Sequence, residues 1–106
     1  MTKHIEIPHI GEVLHEEFLE PLGISQNALA KAINVPSNRI NSIVNGKRGI
    51  TADTDLRLTK YFGLSEGYFL KIQDRFELLR TKQVITKELN KITPICYETQ
   101  YAEMRV

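Results

Sequence analysis

The stretch that decides the fold is Ser25-Gln-Asn-Ala-Leu-Ala-Lys-Ala-Ile-Asn-Val-Pro-Ser-Asn-Arg-Ile-Asn-Ser-Ile-Val-Asn45. Its apolar residues recur at steps of three and four, which predicts two short amphipathic helices. Asn34 tolerates a left-handed backbone, and the residue before Pro36 is pushed out of helical geometry, so a tight turn separates the two helices. The positions that would let the helices cross and pack are Ala30, Ile40 and Ile43. The spacing over residues 26–45 is typical of a helix-turn-helix.

One helix is predicted before this motif, over about Ile10 to Glu20. Pro21 and Gly23 are expected to end it, since proline disrupts a helix interior and glycine suits a turn. Its apolar face consists of Val13, Leu14 and Phe18, and its outer face is acidic, with Glu12, Glu16, Glu17 and Glu20. Ser25 is placed to cap the N-terminus of the first motif helix.

Two more helices are predicted after the motif. Thr51 suits the N-cap of a fourth helix that Gly63 ends, and Ser65 is placed to cap a fifth. The fifth helix carries a long apolar stripe, which is a candidate dimer surface, although core packing explains it equally well: Phe69, Ile72, Phe76 and Leu79. The sequence therefore predicts an all-α, five-helix domain over residues 1–82, with an extended C-terminal helical segment or tail of the same domain over 83–106.

Size and composition exclude several classes of protein. The chain has 106 residues, of which 42% are hydrophobic and 25% charged, and no apolar run approaches the roughly 18 residues of a membrane span. The N-terminus lacks the layout of a secretory signal, and the single cysteine, Cys96, cannot form an internal disulfide. We therefore expect a soluble cytoplasmic protein.

Charge is distributed unevenly along the chain, although the net charge is only +1. Residues 1–24 sum to −4, residues 25–51 to +4 and residues 52–106 to +1. The one coherent basic segment thus coincides with the helix-turn-helix, which favours an anionic partner for that motif.

The second motif helix, which starts near Ser37, carries the residue types that read DNA bases. Taking Ile40 as inward, a 100° advance per residue places polar side chains on the opposite arc. Asparagine can pair with adenine through two hydrogen bonds in the major groove. The candidate base contacts are Ser37, Asn38, Asn41, Ser42 and Asn45, and the candidate phosphate contacts are Gln26, Arg39, Lys47 and Arg48.

No catalytic or metal-binding constellation is found. The three histidines, His4, His9 and His15, lack further ligands at a suitable spacing, and Cys96 has no neighbouring His or Cys. We therefore predict a protein that is not an enzyme and that needs no metal or cofactor.

From Ile10 to about Leu79 the sequence resembles the HigA-type antitoxins, also called virulence-associated protein I, a branch of the Xre family. The fifth-helix segment Tyr68-Phe-Leu-Lys-Ile-Gln73 is similar as well, with Phe69 where the family usually has tryptophan. Asn34 replaces a common glycine and Asp55 a common alanine. The stretches that carry the resemblance are Gly11-Glu-Val-Leu-His-Glu-Glu-Phe-Leu-Glu-Pro-Leu-Gly23, Ser25-Gln-Asn-Ala-Leu-Ala30, Pro36-Ser-Asn-Arg-Ile-Asn-Ser-Ile-Val-Asn-Gly-Lys-Arg48 and Ile50-Thr-Ala-Asp-Thr54.

The resemblance implies a lambda-repressor-like fold and a homodimer that binds a palindromic operator upstream of its own operon. It also implies neutralisation of a co-encoded HigB-type toxin, an mRNA-cleaving ribonuclease, and the acidic face of the first helix is a hypothesis for toxin contact. Two alternatives stay open: a solitary Xre-family regulator without a toxin, and a protein-interaction module that does not bind DNA.

Overall fold

A computed structural model describes residues 5–95, so His4, Cys96 and the last part of the predicted tail, residues 96–106, lie outside it. Residues 5–95 contain six helices and no strand, which confirms the all-α prediction. None of these helices is long and apolar enough to cross a membrane. The helices are α1 (residues 10–22), α2 (Gln26–Ala32), α3 (Ser37–Val44), α4 (Ala52–Phe62), α5 (Tyr68–Val84) and α6 (Thr86–Asn90).

Helix α1 continues two residues beyond the predicted end at Glu20. Its middle, Leu14–Leu19, is a π-helical turn between the α-helical segments Ile10–Val13 and Glu20–Leu22. In a regular α-helix the ring of Pro21 would crowd the carbonyl four residues earlier, and the wider π turn relieves that crowding. The helix therefore ends at Gly23, whose φ of 65° is left-handed.

Most predicted helix ends are confirmed. The Ser25 hydroxyl accepts a hydrogen bond from the Ala28 N–H at 3.0 Å, and the Thr51 hydroxyl accepts one from the Thr54 N–H at 3.4 Å. Gly46 and Gly63 adopt φ values of 76° and 71° where α3 and α4 end. These local rules hold because a cap and its partner lie within one helical turn of each other.

The predicted cap of α5 at Ser65 is wrong. Gly67 occupies the N-cap position and has no side chain to offer, so the free N–H groups are paired from another helix. The carboxylate of Asp55, in α4, accepts hydrogen bonds from the N–H groups of Gly67 (2.7 Å), Phe69 (2.9 Å) and Leu70 (3.1 Å). Asp55 is only 1% exposed, and it joins α4 to the positive end of α5.

The core lies where the first five helices, α1 to α5, meet. Helices α1 and α3 approach so closely that a Cβ atom added to Gly11 would lie 1.8 Å from the Ile43 carbonyl oxygen. Phe18 packs against Phe62 and Phe69, with ring centroids 4.8 and 5.2 Å apart, which joins α1 to α4 and α5. The large side chains with no exposed surface are Leu14, Leu29, Ile40, Ile43, Leu58 and Phe69.

The apolar stripe of α5 divides between core and surface. Phe69 is fully buried and Ile72 packs against the core, so the assignment of Phe69 to a dimer surface is wrong. Its ring fills the space between α1 and α4, which a helical period alone cannot distinguish from a partner surface. Phe76 and Leu79 are half-buried, while Leu78 and Val84 are 66% and 69% exposed on the second half of the helix.

Candidate nucleic-acid interface

The turn between α2 and α3 is held by hydrogen bonds to the backbone of α2 and from the side chain of Arg57 in α4. Asn34 adopts the predicted left-handed conformation, with φ of 60°, and the Val35 N–H donates to the Ala30 carbonyl at 2.9 Å. From α4, the guanidinium of Arg57 donates to the carbonyls of Ile33 (2.9 Å) and Asn34 (3.3 Å). Arg57 thus satisfies carbonyls at the end of α2 that have no helical partner, and it stabilises the turn that presents α3.

Helix α3 buries one face and presents a polar one. Ile40 and Ile43 have no exposed surface, as predicted for the inward side. The candidate base contacts are exposed except for Ser42, which is half-buried: Ser37, Asn38, Asn41, Ser42 and Asn45. The exposed arc is therefore a row of short polar groups able to donate and accept hydrogen bonds.

Three of the predicted contact residues form a chain of amides across α2 and α3. The Asn45 amide donates to the Asn41 side-chain oxygen at 3.2 Å, and the Asn41 amide donates to the Gln26 side-chain oxygen, also at 3.2 Å. Asn41 keeps one free N–H and one free lone pair, because an amide has two donors and two acceptor sites. The chain therefore orients Asn41 and still leaves it able to bind the edge of an adenine with both groups.

Lys47 and Arg48 lie in the loop that follows α3. Their backbone N–H groups donate to the Ser42 carbonyl, at 2.8 and 3.3 Å, which attaches the loop to the end of the helix. Both residues are exposed, and neither forms an ion pair with another residue in the range 5–95. Their charges are thus available to an anion beside the polar arc.

Arg39 differs from these two cations because it has a partner within the domain. Its guanidinium donates to the Asp53 carboxylate at 2.9 Å, and the same oxygen accepts from Arg57 at 2.8 Å. The hydrogen bonds from Arg57 and Arg39 favour the ionised carboxylate of Asp53 and hold its pKa below the ordinary value of 3.8. Asp53 consequently links α3 to Arg57, which clamps the preceding turn.

Comparison with known proteins matches residues 16–69, from α1 to the start of α5, to the helix-turn-helix family. Virulence-associated protein I of Dichelobacter nodosus is 44% identical over 91% of this chain and 88% of its own length. The solved structure of antitoxin HigA of Pseudomonas aeruginosa with the higBA promoter is 35% identical, with a TM-score of 0.78, over 86% of this chain and 100% of that one. The chain belongs to the HigA-type branch of the Xre family.

A second solved structure carries DNA as well. It is a Pseudomonas aeruginosa protein in complex with an 18-base-pair duplex of its operator, and it is 34% identical to the HigA-type chain described here. The TM-score is 0.81, over 89% of this chain and 100% of that one. The two folds therefore agree over most of this chain and the whole of the other one.

Several residues that shape the interface of this HigA-type chain were not found from the sequence. Arg57 and Asp53 act on the motif from α4, and Gln73 of α5 binds the loop after α3 through the backbone of Ile50. His9, considered as a metal ligand, instead accepts a hydrogen bond from the Gly11 N–H at 3.1 Å and caps α1. One sequence feature indicates such a residue: a polar side chain on an otherwise apolar helix face, as at Gln73.

Proposed function

We propose that this chain is a HigA-type antitoxin that binds operator DNA as a homodimer, represses its own operon and neutralises a HigB-type toxin. The observation that carries the DNA-binding part is the exposed polar arc of α3 with the exposed cations Lys47 and Arg48 at its end. Two solved relatives contain operator or promoter DNA, which supports DNA binding by this chain.

DNA binding would use two kinds of contact, those that recognise the bases and those that position the protein on the phosphates. Asn41, oriented by Gln26, would bind an adenine edge in the major groove, and Asn38 and Asn45 would contact neighbouring bases. Lys47 and Arg48 would bind phosphates, and each phosphate neutralised would release counterions and steepen the salt dependence of binding. Arg39 is left out of these contacts because its guanidinium already binds Asp53.

Dimerisation is supported by the second half of α5. Its exposed apolar side chains, Leu78 and Val84, lie on the same helix as the half-buried Phe76 and Leu79. A two-fold pair of recognition helices would read half-sites about 34 Å apart, which one short helix cannot do alone. We therefore assign the dimer surface to the apolar side chains of this part of α5, namely Phe76, Leu78, Leu79 and Val84, without Phe69.

The decisive test of operator binding is the double variant Asn38→Ala/Asn41→Ala. Each lost contact between an asparagine and a base costs about 1–3 kcal/mol, and both protomers of a dimer lose their contacts. We therefore expect affinity for the operator to fall about 100-fold or more. Fluorescence anisotropy with the duplex upstream of the chain's own operon measures this, and circular dichroism checks helicity. Asn90→Ala, an exposed asparagine on α6, is the control. Unchanged affinity in a folded double variant would show that α3 does not read the operator.

The antitoxin part is tested separately, by growth. Cells that express the neighbouring toxin candidate should resume growth when this chain is co-expressed, and the double variant should rescue them equally well if α3 serves DNA alone. The exposed acids of α1, namely Glu16, Glu17 and Glu20, are the residues proposed for toxin contact. Absence of rescue, with operator binding retained, would favour the solitary regulator.

A further inference from the structure

Gln73 of α5 binds the loop that carries Lys47 and Arg48. Its side-chain oxygen accepts a hydrogen bond from the Ile50 N–H at 2.6 Å, and its amide nitrogen donates to the Ile50 carbonyl at 2.9 Å. One amide thus pairs both backbone groups of Ile50, much as a neighbouring β-strand would. Because Ile50 is 3% exposed, little water can reach it to replace these bonds.

The same loop is held tightly at its other end. The Ser42 carbonyl binds the N–H groups of Lys47 and Arg48, and Gly46 sits against the imidazole of His9, where an added Cβ atom would lie 3.0 Å from Nε2. Residues 46–50 are therefore fixed at both ends, with the two exposed cations between the fixed points. At the Ile50 end, the loop backbone is hydrogen-bonded by a side chain from outside the loop and α3, namely that of Gln73.

The approach of Gln73 also favours glycine at position 49. A Cβ atom added to Gly49 would lie 2.7 Å from the Gln73 side-chain oxygen. The absence of a side chain at Gly49 thus lets the amide lie flat against the loop backbone. Gln73 and Gly49 form one contact, although they are far apart in the sequence.

We propose that Gln73 is a positioning residue for DNA binding, which holds Lys47 and Arg48 where they meet the phosphates. The inference rests on the proposed function, because it presumes that these two cations bind DNA. The physical reason is preorganisation: a loop already fixed in its bound shape loses less conformational entropy on binding. When Gln73 is removed, the loop is free at Ile50, and its cations must be ordered by the DNA itself.

The test compares Gln73→Ala with Gln83→Ala. Gln83 is a matched control because it lies on the same helix and pairs the N–H and carbonyl of Ile5 with the same distances, 2.6 and 2.9 Å, away from the loop. We expect Gln73→Ala to weaken operator binding about tenfold and to flatten the plot of log affinity against log salt by about one ion per protomer. We expect Gln83→Ala to leave both quantities unchanged.

A double-variant experiment separates positioning from a general loss of structure. Lys47→Ala should reduce affinity and salt slope in the wild-type background but have a smaller effect in the Gln73→Ala background, since the lysine is already misplaced there. Full additivity of the two changes would overturn the proposal. If Gln73→Ala does not fold, Gln73→Glu keeps the acceptor for the Ile50 N–H, removes the donor to the carbonyl and serves the same comparison.

The outcomes also separate this inference from the proposed function. If the wild-type chain does not bind its operator at low salt, the proposed function fails and Gln73 has nothing to position. If the wild-type chain binds and Gln73→Ala binds equally well with the same salt slope, the role of Gln73 alone is disproved.

Discussion

The Gly11→Ala variant is expected to lose about 3 kcal/mol of stability, at the upper end of what overpacking a core costs. The new Cβ atom would lie 1.8 Å from the Ile43 carbonyl oxygen and 2.7 Å from its carbonyl carbon. Both atoms belong to the backbone of α3, so no side chain can rotate away, and α1 must separate from α3. Helix propensity alone predicts that Gly11→Ala stabilises the protein, because alanine is favoured over glycine within helices by about 1 kcal/mol.

Urea unfolding followed by circular dichroism measures the change in Gly11→Ala. Glu17→Ala, an exposed position on the same helix, is the control and should stay within about 0.5 kcal/mol of the wild type. Because α3 carries the polar arc, we also expect operator binding by the folded fraction to weaken. A Gly11→Ala protein as stable as the wild type would mean that α1 and α3 do not approach as closely as described.

The second large effect is expected for Asp55→Ala. This change removes the acceptor for three N–H groups at the start of α5, and each unpaired donor costs about 1 kcal/mol or more, so the loss should be about 3 kcal/mol. For a domain of this size, that lowers the melting temperature by about 12 °C or more. Asp55→Asn should be intermediate, since its amide keeps one oxygen but sets an N–H against a backbone donor.

Differential scanning calorimetry on Asp55→Ala, Asp55→Asn and Asp74→Ala measures these effects. Asp74 is an exposed aspartate of α5, and its removal should shift the melting temperature by no more than about 3 °C. If Asp55→Ala melts within that margin, the carboxylate does not cap α5. If Asp55→Ala is destabilised while Asp55→Asn melts at the wild-type temperature, a single side-chain oxygen at position 55 is enough to cap α5.

Asp55, Gln73 and Arg57 show where reasoning from sequence stops. The sequence marks Asp55 only as a departure from the family. It acts instead on α5, twelve to fifteen residues later, from a position with 1% exposure. Gln73 acts across 23 residues on Ile50, and Arg57 across 24 on Ile33. None of these partners shares a helical turn, so no rule of local spacing connects them.

The stripe on α5 illustrates a different limit. Its period of three and four residues correctly predicted a helix with an apolar face. The same period is compatible with a core, a dimer surface or both, because burial depends on what packs against the helix. Phe69 enters the core beside Phe18, whereas Val84, fifteen residues further along the helix, is 69% exposed.

By itself, the sequence determined the helix-turn-helix, its turn at Asn34, the caps at Ser25 and Thr51, and the polar arc of α3. These features follow from backbone preferences and from hydrogen bonds within about four residues. Such short-range features can be predicted directly from the order of amino acids. Only the tertiary structure decided that Asp55 caps α5, that Asp53 and Arg57 brace the motif, and that Gln73 holds the loop of Lys47 and Arg48. Those contacts exist because packing the core brings distant side chains to unpaired backbone groups, and that outcome depends on the whole domain at once.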